Sequence, residues 1–532
     1  MNKTIKIKNA TTPMKKHNFV PTPNPFVQAM QVQANFTTTE NGALTNKSTL
    51  NSVLDFFGAA GAIRSRTDAD VIKLFSKAFA EDRLLATKIL FYIRDVRSGQ
   101  GERKTFRTIL HWLATNYPDV VRKNLDNTAF YGRYDDLYVL VGTPLEKDIF
   151  TLFDRQLAID LLSMRDGKSV SLLAKWLKSE NTSSDESRAL GRKTREALKL
   201  SSKKYRKILS TLRNYINVIE AKMCAGKWDE IDFQKVPSKA SLNYRKAFGK
   251  HDQTRYAAYL KSVEKGEKKM NASAVAPYEI LRSIVMHSVS SQEVLQADLQ
   301  WKSMPNWLEG NEHKGIVIAD VSGSMTSPNY LPMLISVSLA MYFAERNVGP
   351  FKDFWMNFSS SPTFQKFIGS TLSERYNNMD KHNWSGSTDL QAAFDLILST
   401  AVRNSVAQKD MPSVLYIVSD MEFNQACTSN KQTNFDVMKR KFAAAGYAMP
   451  RVVWWNVSAR NDNFPIRSDE NGTANVSARN DNFPIRSDEN GTALVSGASP
   501  SILKSLLSAK TFDPMSIVYE TVNNPRYDKV TV

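Results

Sequence analysis

The chain changes its periodicity once, near residue 310, and that change restricts it to a helical half followed by an α/β half. From about Leu50 to Trp307, apolar residues recur at 3–4 spacing. Examples are Val71-Leu74-Phe75-Ala78-Phe79, Leu85-Ile89-Tyr92-Ile93-Val96 and Phe106-Ile109-Leu110-Leu113. Turn residues break the pattern at 98–101, 117–119, 142–144 and 166–167. Short amphipathic helices joined by tight turns predict a helical-repeat array, although no fixed sequence period accompanies it. After 314, strand patterns at 315–320, 351–358, 414–420 and 451–457 alternate with helical patterns at 331–346, 388–402, 434–445 and 501–508. Such alternation predicts a doubly wound, mostly parallel sheet covered on both faces. Residues 1–45, punctuated by Pro13, Pro21, Pro23 and Pro25, read as a flexible polar tail. The expected division is therefore 1–45 tail, 46–310 helical module and 311–532 α/β domain.

Charge follows the same division. The net charge of +18 lies entirely within residues 1–310, and residues 311–532 sum to zero. A surplus confined to one half predicts a polyanion-binding half, with nucleic acid as the polyanion. Cys224 and Cys427 are the only cysteines, far apart in sequence, which speaks for a reducing, cytoplasmic setting and against a disulfide framework. No run of 18 apolar residues predicts a membrane span, and the basic start lacks the apolar core of a secretory signal. Residues 456–474 and 475–493 are identical 19-residue copies. A sheet has one slot for the segment that runs on into Leu494, so the other copy is expected to loop out at the surface.

The apolar run Gly315-Ile316-Val317-Ile318-Ala319 leads straight into Asp320-Val321-Ser322-Gly323-Ser324. One carboxylate and two hydroxyls, spaced two apart, converge at a strand's carboxyl end, where open α/β sheets place ligands. Gly386-Ser387-Thr388-Asp389 opens a helical stretch, and Val414–Ser419 ends in Asp420. Asp320, Ser322, Ser324, Thr388 and Asp420 can meet at one rim. Hard oxygen donors with few charges suit Mg²⁺ or another divalent cation. This set resembles the metal-ion-dependent adhesion site of von Willebrand factor A domains. The resemblance implies that Ser322, Ser324 and Thr388 face the ion, with Asp320 and Asp420 beside it, partly through water. It also implies an open coordination position for a partner's carboxylate or phosphate.

In the basic half, residues 188–213 carry Arg188, Arg192, Arg195, Lys199, Lys203 and Arg206 among further cations, against the single acid Glu196. On one continuous helix at about 100° per residue these six fall within about 80° of each other, a cationic stripe suited to phosphates. A second cluster holds Arg94, Arg97, Arg103, Lys104 and Arg107 around Gly99 and Gly101. Glycines between two helices expose backbone N–H groups, an anion-binding arrangement. Tyr131-Gly132-Arg133-Tyr134-Asp135-Asp136-Leu137 either stacks bases with Arg133 as a cation or fills a helix–helix core.

A basic helical-repeat half followed by this metal-site domain resembles the Ro ribonucleoprotein family, the TROVE-plus-von-Willebrand-A proteins. The motifs at 94–104 and 131–137 look closest to an uncharacterised branch of it, common in phages and bacteria. The resemblance implies a HEAT-like helical ring whose outer basic surface binds small structured RNA and whose hole takes single-stranded RNA ends. It further implies a von Willebrand half that recruits a protein partner with an acidic ligand through Mg²⁺. The expected function is a non-catalytic RNA-binding scaffold, an RNA chaperone or quality-control factor. The alternative is a metal-dependent interaction adaptor or phage assembly protein with no specific RNA. An enzyme is not expected, because two-metal chemistry wants a denser carboxylate cluster and no His falls in these motifs.

Overall fold

The computed structural model describes residues 30, 34–286, 288–310, 314–357, 359–379, 381, 384, 386–425, 433–466, 491–509 and 512–532. Helices dominate up to residue 302. They begin where side-chain oxygens satisfy otherwise unpaired N–H groups. Asn51 caps Ser52–Ala60, Thr67 caps Asp68–Glu81, and Asp82 caps Arg83–Arg94. The apolar 3–4 faces read from sequence are the buried ones, with Val71, Leu74, Phe75, Ala78 and Phe79 all inside. Successive helices pack on their neighbours, and together with Ala498–Ser501 of the α/β half they surround a cavity of about 1800 Å³.

Beyond residue 314 six strands form one sheet in the order β5-β4-β3-β6-β7-β8. Here β3 is Gly315–Ala319, β4 Phe354–Asn357, β5 Phe364–Lys366, β6 Val414–Ser419, β7 Arg451–Asn456 and β8 Thr492–Ser496. All neighbours are parallel except β4 and β5. Strands β3, β6 and β8 are buried along their whole length, as expected for a sheet sandwiched by helices. The helix Leu331–Arg346 lies where the sequence places it, and Leu390–Arg403, Asn434–Ala444 and Ile502–Ser508 differ from expectation only at their ends. The fold is therefore a helical array followed by a von Willebrand A-like, doubly wound sheet.

Three expectations need correction. Residues 36–46 are not tail: Phe36–Thr38 (β1) and Leu44–Asn46 (β2) pair antiparallel, and the hairpin packs on the α/β half. Thr39 Oγ1 donates to the Phe423 carbonyl at 2.6 Å, and Asn46 and Phe464 exchange backbone hydrogen bonds. Polar composition hid this hairpin because its anchors are hydrogen bonds rather than apolar burial. The cationic stretch at 188–213 is not one helix. It is Asp185–Ala197 and Ser202–Tyr215, separated at Lys199, whose φ is +53°, and restarted by the Ser201 cap. The strand expected at 351–358 is shorter, because Gly349–Phe351 is a 3₁₀ turn; Phe358 lies outside the described residues.

The halves are interlocked rather than strung in series. One hydrophobic core runs through the helices up to Leu212, takes in Leu242, Ile280, Leu281 and Trp301 further on, and continues through strands β3, β4, β6, β7 and β8, while Ile219, Phe233, Phe248, Tyr256 and Leu260 belong to a smaller second core. The helix Ser52–Ala60 lies on β8. A Cβ at Gly58 would collide with Leu494, and Ser496 Oγ accepts from the Gly61 N–H at 3.0 Å. In return, the last residues of the α/β half clasp the helices. Asp95 receives Arg526 and the Tyr527 hydroxyl, and Asn124 and Asn127 donate to the carbonyls of Thr531 and Lys529. Of the repeated segment, β7 and the following residues to Ile466 use the start of the first copy. Strand β8 uses Thr492 and Ala493 from the end of the second. The expected surface loop falls at 467–490, outside the described residues.

Candidate metal site and nucleic-acid surface

Strands β3 and β6 are in-register neighbours, so Asp320 and Asp420 leave the sheet side by side at its carboxyl edge. Asp320 is wholly buried and accepts from the Ser322 N–H at 3.0 Å and from Ser419 Oγ at 2.6 Å. Ser322 Oγ and Ser324 Oγ lie 3.1 Å apart. Asp420 accepts from the Glu422 N–H at 3.2 Å and from the Arg460 guanidinium at 2.9 Å. Burial, then the neighbouring Asp420 charge, push the Asp320 carboxyl up to about 7. Burial raises Asp420 as well. Thr388 is buried one loop away, its N–H on Asn424 Oδ1 at 3.2 Å and its carbonyl receiving the Asn424 N–H at 2.9 Å. The structure thus gathers Asp320, Ser322, Ser324 and Asp420 directly and brings Thr388 beside the loop that follows Asp420.

Among the described residues no three His, Cys, Asp or Glu side chains are arranged around a common ion position. An ion here relies on hydroxyl oxygens, and the donor set fits a small hard cation that keeps some of its waters. Asp420 is partly compensated by Arg460, but Asp320 has only hydrogen-bond donors and the Asp420 carboxyl against it, and a divalent cation would supply the compensation it lacks. The residues that would hold it are Ser322, Ser324 and Thr388, with Asp320 and Asp420 behind them. The sequence did not reveal the surroundings of Asp420. Glu422 is buried, with its carboxyl raised by that burial, and it receives the Glu40 N–H, Asn461 Nδ2 and Asn463 Nδ2 at 2.7, 2.9 and 2.7 Å.

The cations of the helical half divide into two groups. Arg94 is buried against Asp136, with Nε 2.7 Å from Oδ2, and Arg107 reaches Asp136 and Asp135 at 2.7 and 2.9 Å. Each engages these aspartates through Nε and Nη2, so both hold the fold, and Arg94 also lines the large cavity. The motif at 131–137 supplies those aspartates, while Tyr131 fills the helix core. Arg188 and Arg195 are likewise occupied, by Asp185 and by Glu180 at 2.7 Å. Arg97, Arg103 and Lys104 are exposed and line the large cavity. Arg192, Lys203 and Arg206 are exposed on the helices Asp185–Ala197 and Ser202–Tyr215, and Lys199 is exposed in the turn between them.

Arg133 also lines the cavity, its guanidinium 4.1 Å from the centre of the Trp176 ring. Burial lowers its pKa, while Asp135 holds the charged form. Sequence reading missed Arg64, Lys175, Trp176 and Lys239, which line the same cavity, and gave Arg213 only as the end of the cationic stretch. They come from separate segments and form no local motif, so only the packing of the helices brings them together.

Three comparisons place this chain among known proteins. The model described as "Domain of unknown function (DUF2828)" matches residues 39–136 and 170–311, and "Domain of unknown function (DUF7788)" matches residues 314–529. Their junction falls at the change from helices to sheet. Uncharacterized protein L728 of Acanthamoeba polyphaga mimivirus is 30% identical over 523 residues, covering 91% of this chain and 87% of that protein. The chain belongs to the same family as that protein. A crystal structure of the Deinococcus radiodurans RO (RSR) protein is similar at a TM-score of 0.43 and 12% identity, covering 90% of this chain and 100% of that one.

Proposed function

We propose that the protein is a non-catalytic RNA-binding scaffold. It takes single-stranded RNA ends in the cavity of the helical half and structured small RNA on the cations outside it. The observation that carries this reading is the cavity. At about 1800 Å³ it exceeds the roughly 300–1,000 Å³ of a small-ligand pocket, which favours a polymer segment. Arg97, Arg103, Lys104 and Lys175 offer phosphate contacts in its wall, and Trp176 with Arg133 against it offers a surface for a base. The confinement of the whole +18 to residues 1–310 supports the same reading. So does the resemblance to the Ro ribonucleoprotein family.

The rim site at Asp320 serves in this reading as a Mg²⁺-dependent grip for an acidic group, not as a hydrolytic centre, because hydroxyls outnumber carboxylates in it. Among the described residues no helix is long and apolar enough to cross a membrane, and a cytoplasmic setting fits the cysteine usage. The second reading, a metal-dependent adaptor without RNA, is favoured by the zero net charge of the half that carries the rim site. Sequencing of RNA that co-purifies with the full chain at low salt separates the two. A discrete enriched RNA supports the scaffold. A chain free of RNA that captures an acidic protein only with Mg²⁺, and not after Asp320→Ala, supports the adaptor.

A further inference from the structure

Asp420 already has a cation on it. One guanidinium nitrogen of Arg460 lies 2.9 Å from Asp420 Oδ2 and 3.3 Å from Glu40 Oε2, so a single N–H₂ group bridges two carboxylates from opposite ends of the chain. Glu40 belongs to the turn of the β1–β2 hairpin, and that turn is fixed independently of Arg460. The Glu40 N–H is held by Glu422, Asn41 Nδ2 donates to the Glu422 carbonyl at 2.6 Å, and the Gln425 N–H donates to the Asn41 carbonyl at 3.2 Å. Asn461 Nδ2 donates to Glu40 Oε1 at 2.8 Å. The Glu40 carboxylate is therefore carried to the rim by its backbone, and it faces Asp420 across the guanidinium.

Arg460 is poorly satisfied compared with Arg66, a guanidinium that reaches the same loop from the helical half. Arg66 uses Nε, Nη1 and Nη2 on the Ala459 carbonyl, Asp462 and the Asn461 carbonyl. Arg460 leaves its Nε buried without a partner. A side chain placed only to hold the loop would gain by satisfying that donor. Its one strong engagement is the position between the two carboxylates.

We propose that the rim site is capped in cis: the Arg460 guanidinium, held between Asp420 and Glu40, competes with a divalent cation for Asp420. This inference rests on the metal-site reading above. Cation binding then requires Arg460 to leave Asp420, and the Glu40 carboxylate it releases would add its charge beside Asp420. A cation and Arg460 compete for Asp420, so removal of the guanidinium tightens binding.

The test is calorimetric titration of the full chain with Mn²⁺, comparing wild type, Arg460→Gln, Arg460→Gln/Glu40→Gln and Asp320→Ala. The expected result is at least tenfold tighter binding by Arg460→Gln, loss of most of that gain in the double variant, and no binding by Asp320→Ala. A second readout is the Mn²⁺-induced rise in melting temperature, expected to be larger for Arg460→Gln than for wild type. Should Arg460→Gln fail to fold, Arg460→Lys keeps the charge but cannot reproduce the fixed fork, and binding tighter than wild type is expected from it. Equal or weaker binding by the Arg460 variants, with wild type binding and Asp320→Ala not, overturns the cis cap and leaves the metal site standing. No binding by wild type or any Arg460 variant overturns the metal site and the cap together.

Discussion

Asp136 in the helical half and Asp320 in the α/β half are both wholly buried carboxylates, and they differ in what faces them. Asp136 sits between Arg94 and Arg107 and also receives the Arg133 N–H at 3.0 Å. Its charge is matched by cations and hydrogen bonds on every side. Asp320 has a serine hydroxyl and a backbone N–H, and its nearest charged neighbour is another carboxylate. Complete compensation marks a structural element. Incomplete compensation beside hydroxyls, at the carboxyl edge of a parallel sheet, is what the proposed cation site rests on.

The largest effect is expected where the compensated network is broken. Asp136→Ala leaves Arg94 buried without its carboxylate and should lower stability by roughly 3–5 kcal/mol, the usual cost of removing one partner of a buried ion pair. Chemical denaturation of the full chain measures it. A loss below about 1 kcal/mol would mean that the network contributes little to the fold.

The incomplete compensation of Asp320 next predicts a response to pH. Asp320 moves from its ordinary 3.8 to about 7 on folding, so the folded state takes up its proton more readily than the unfolded one. Its contribution to stability is fully present below about pH 4 and is lost as pH rises through about 7. In Mg²⁺-free buffer wild type should thus lose stability across that window, and Asp320→Asn should flatten the slope. An identical slope in the variant would show that Asp320 does not titrate there.

A smaller effect tests the interlock of the two halves. Gly58→Val places branched carbons where Leu494 already lies and should cost about 1–3 kcal/mol, as overpacking of a tight core does. Thermal unfolding should show one broadened or lowered transition. An unchanged midpoint would mean that the helix Ser52–Ala60 does not bear on β8 in solution.

The smallest effect concerns the outer cations. Arg192→Glu with Lys203→Glu should weaken binding of a structured small RNA severalfold and leave a short single strand almost unaffected. Gel-shift titrations of both RNAs against the same variant sharpen the comparison. Equal losses for the two would remove the distinction between outer surface and cavity.

What the sequence made legible follows the same physics. The strands of the sheet interior were readable because burial on both faces forces continuous apolar runs such as Val414–Ser419. The Asp320 motif was readable because its three donors are contiguous. Thr388 and Asp420 followed because strand ends and helix starts carry local signals. The hairpin 36–46 was not readable, because Thr39, Asn41 and Asn46 find their partners 384, 381 and 418 residues away. The cavity wall escaped for a related reason: Lys175, Trp176 and Lys239 become one surface only through the path of the helices. Charge alone did not reveal that Arg94 and Arg107 are engaged by Asp135 and Asp136, since composition counts cations but does not say which aspartate each one meets.

The central claim is that the cavity binds single-stranded RNA. Its most direct test is fluorescence anisotropy of an end-labelled single-stranded RNA with the full chain over a salt series, beside Arg103→Glu/Lys104→Glu/Lys175→Glu. The prediction is binding that weakens steeply with salt, and a variant at least about tenfold weaker whose logarithmic salt slope is shallower by about 0.7 for each phosphate no longer neutralised. Equal affinity and equal slope for both proteins, or no binding by wild type at low salt, would contradict it.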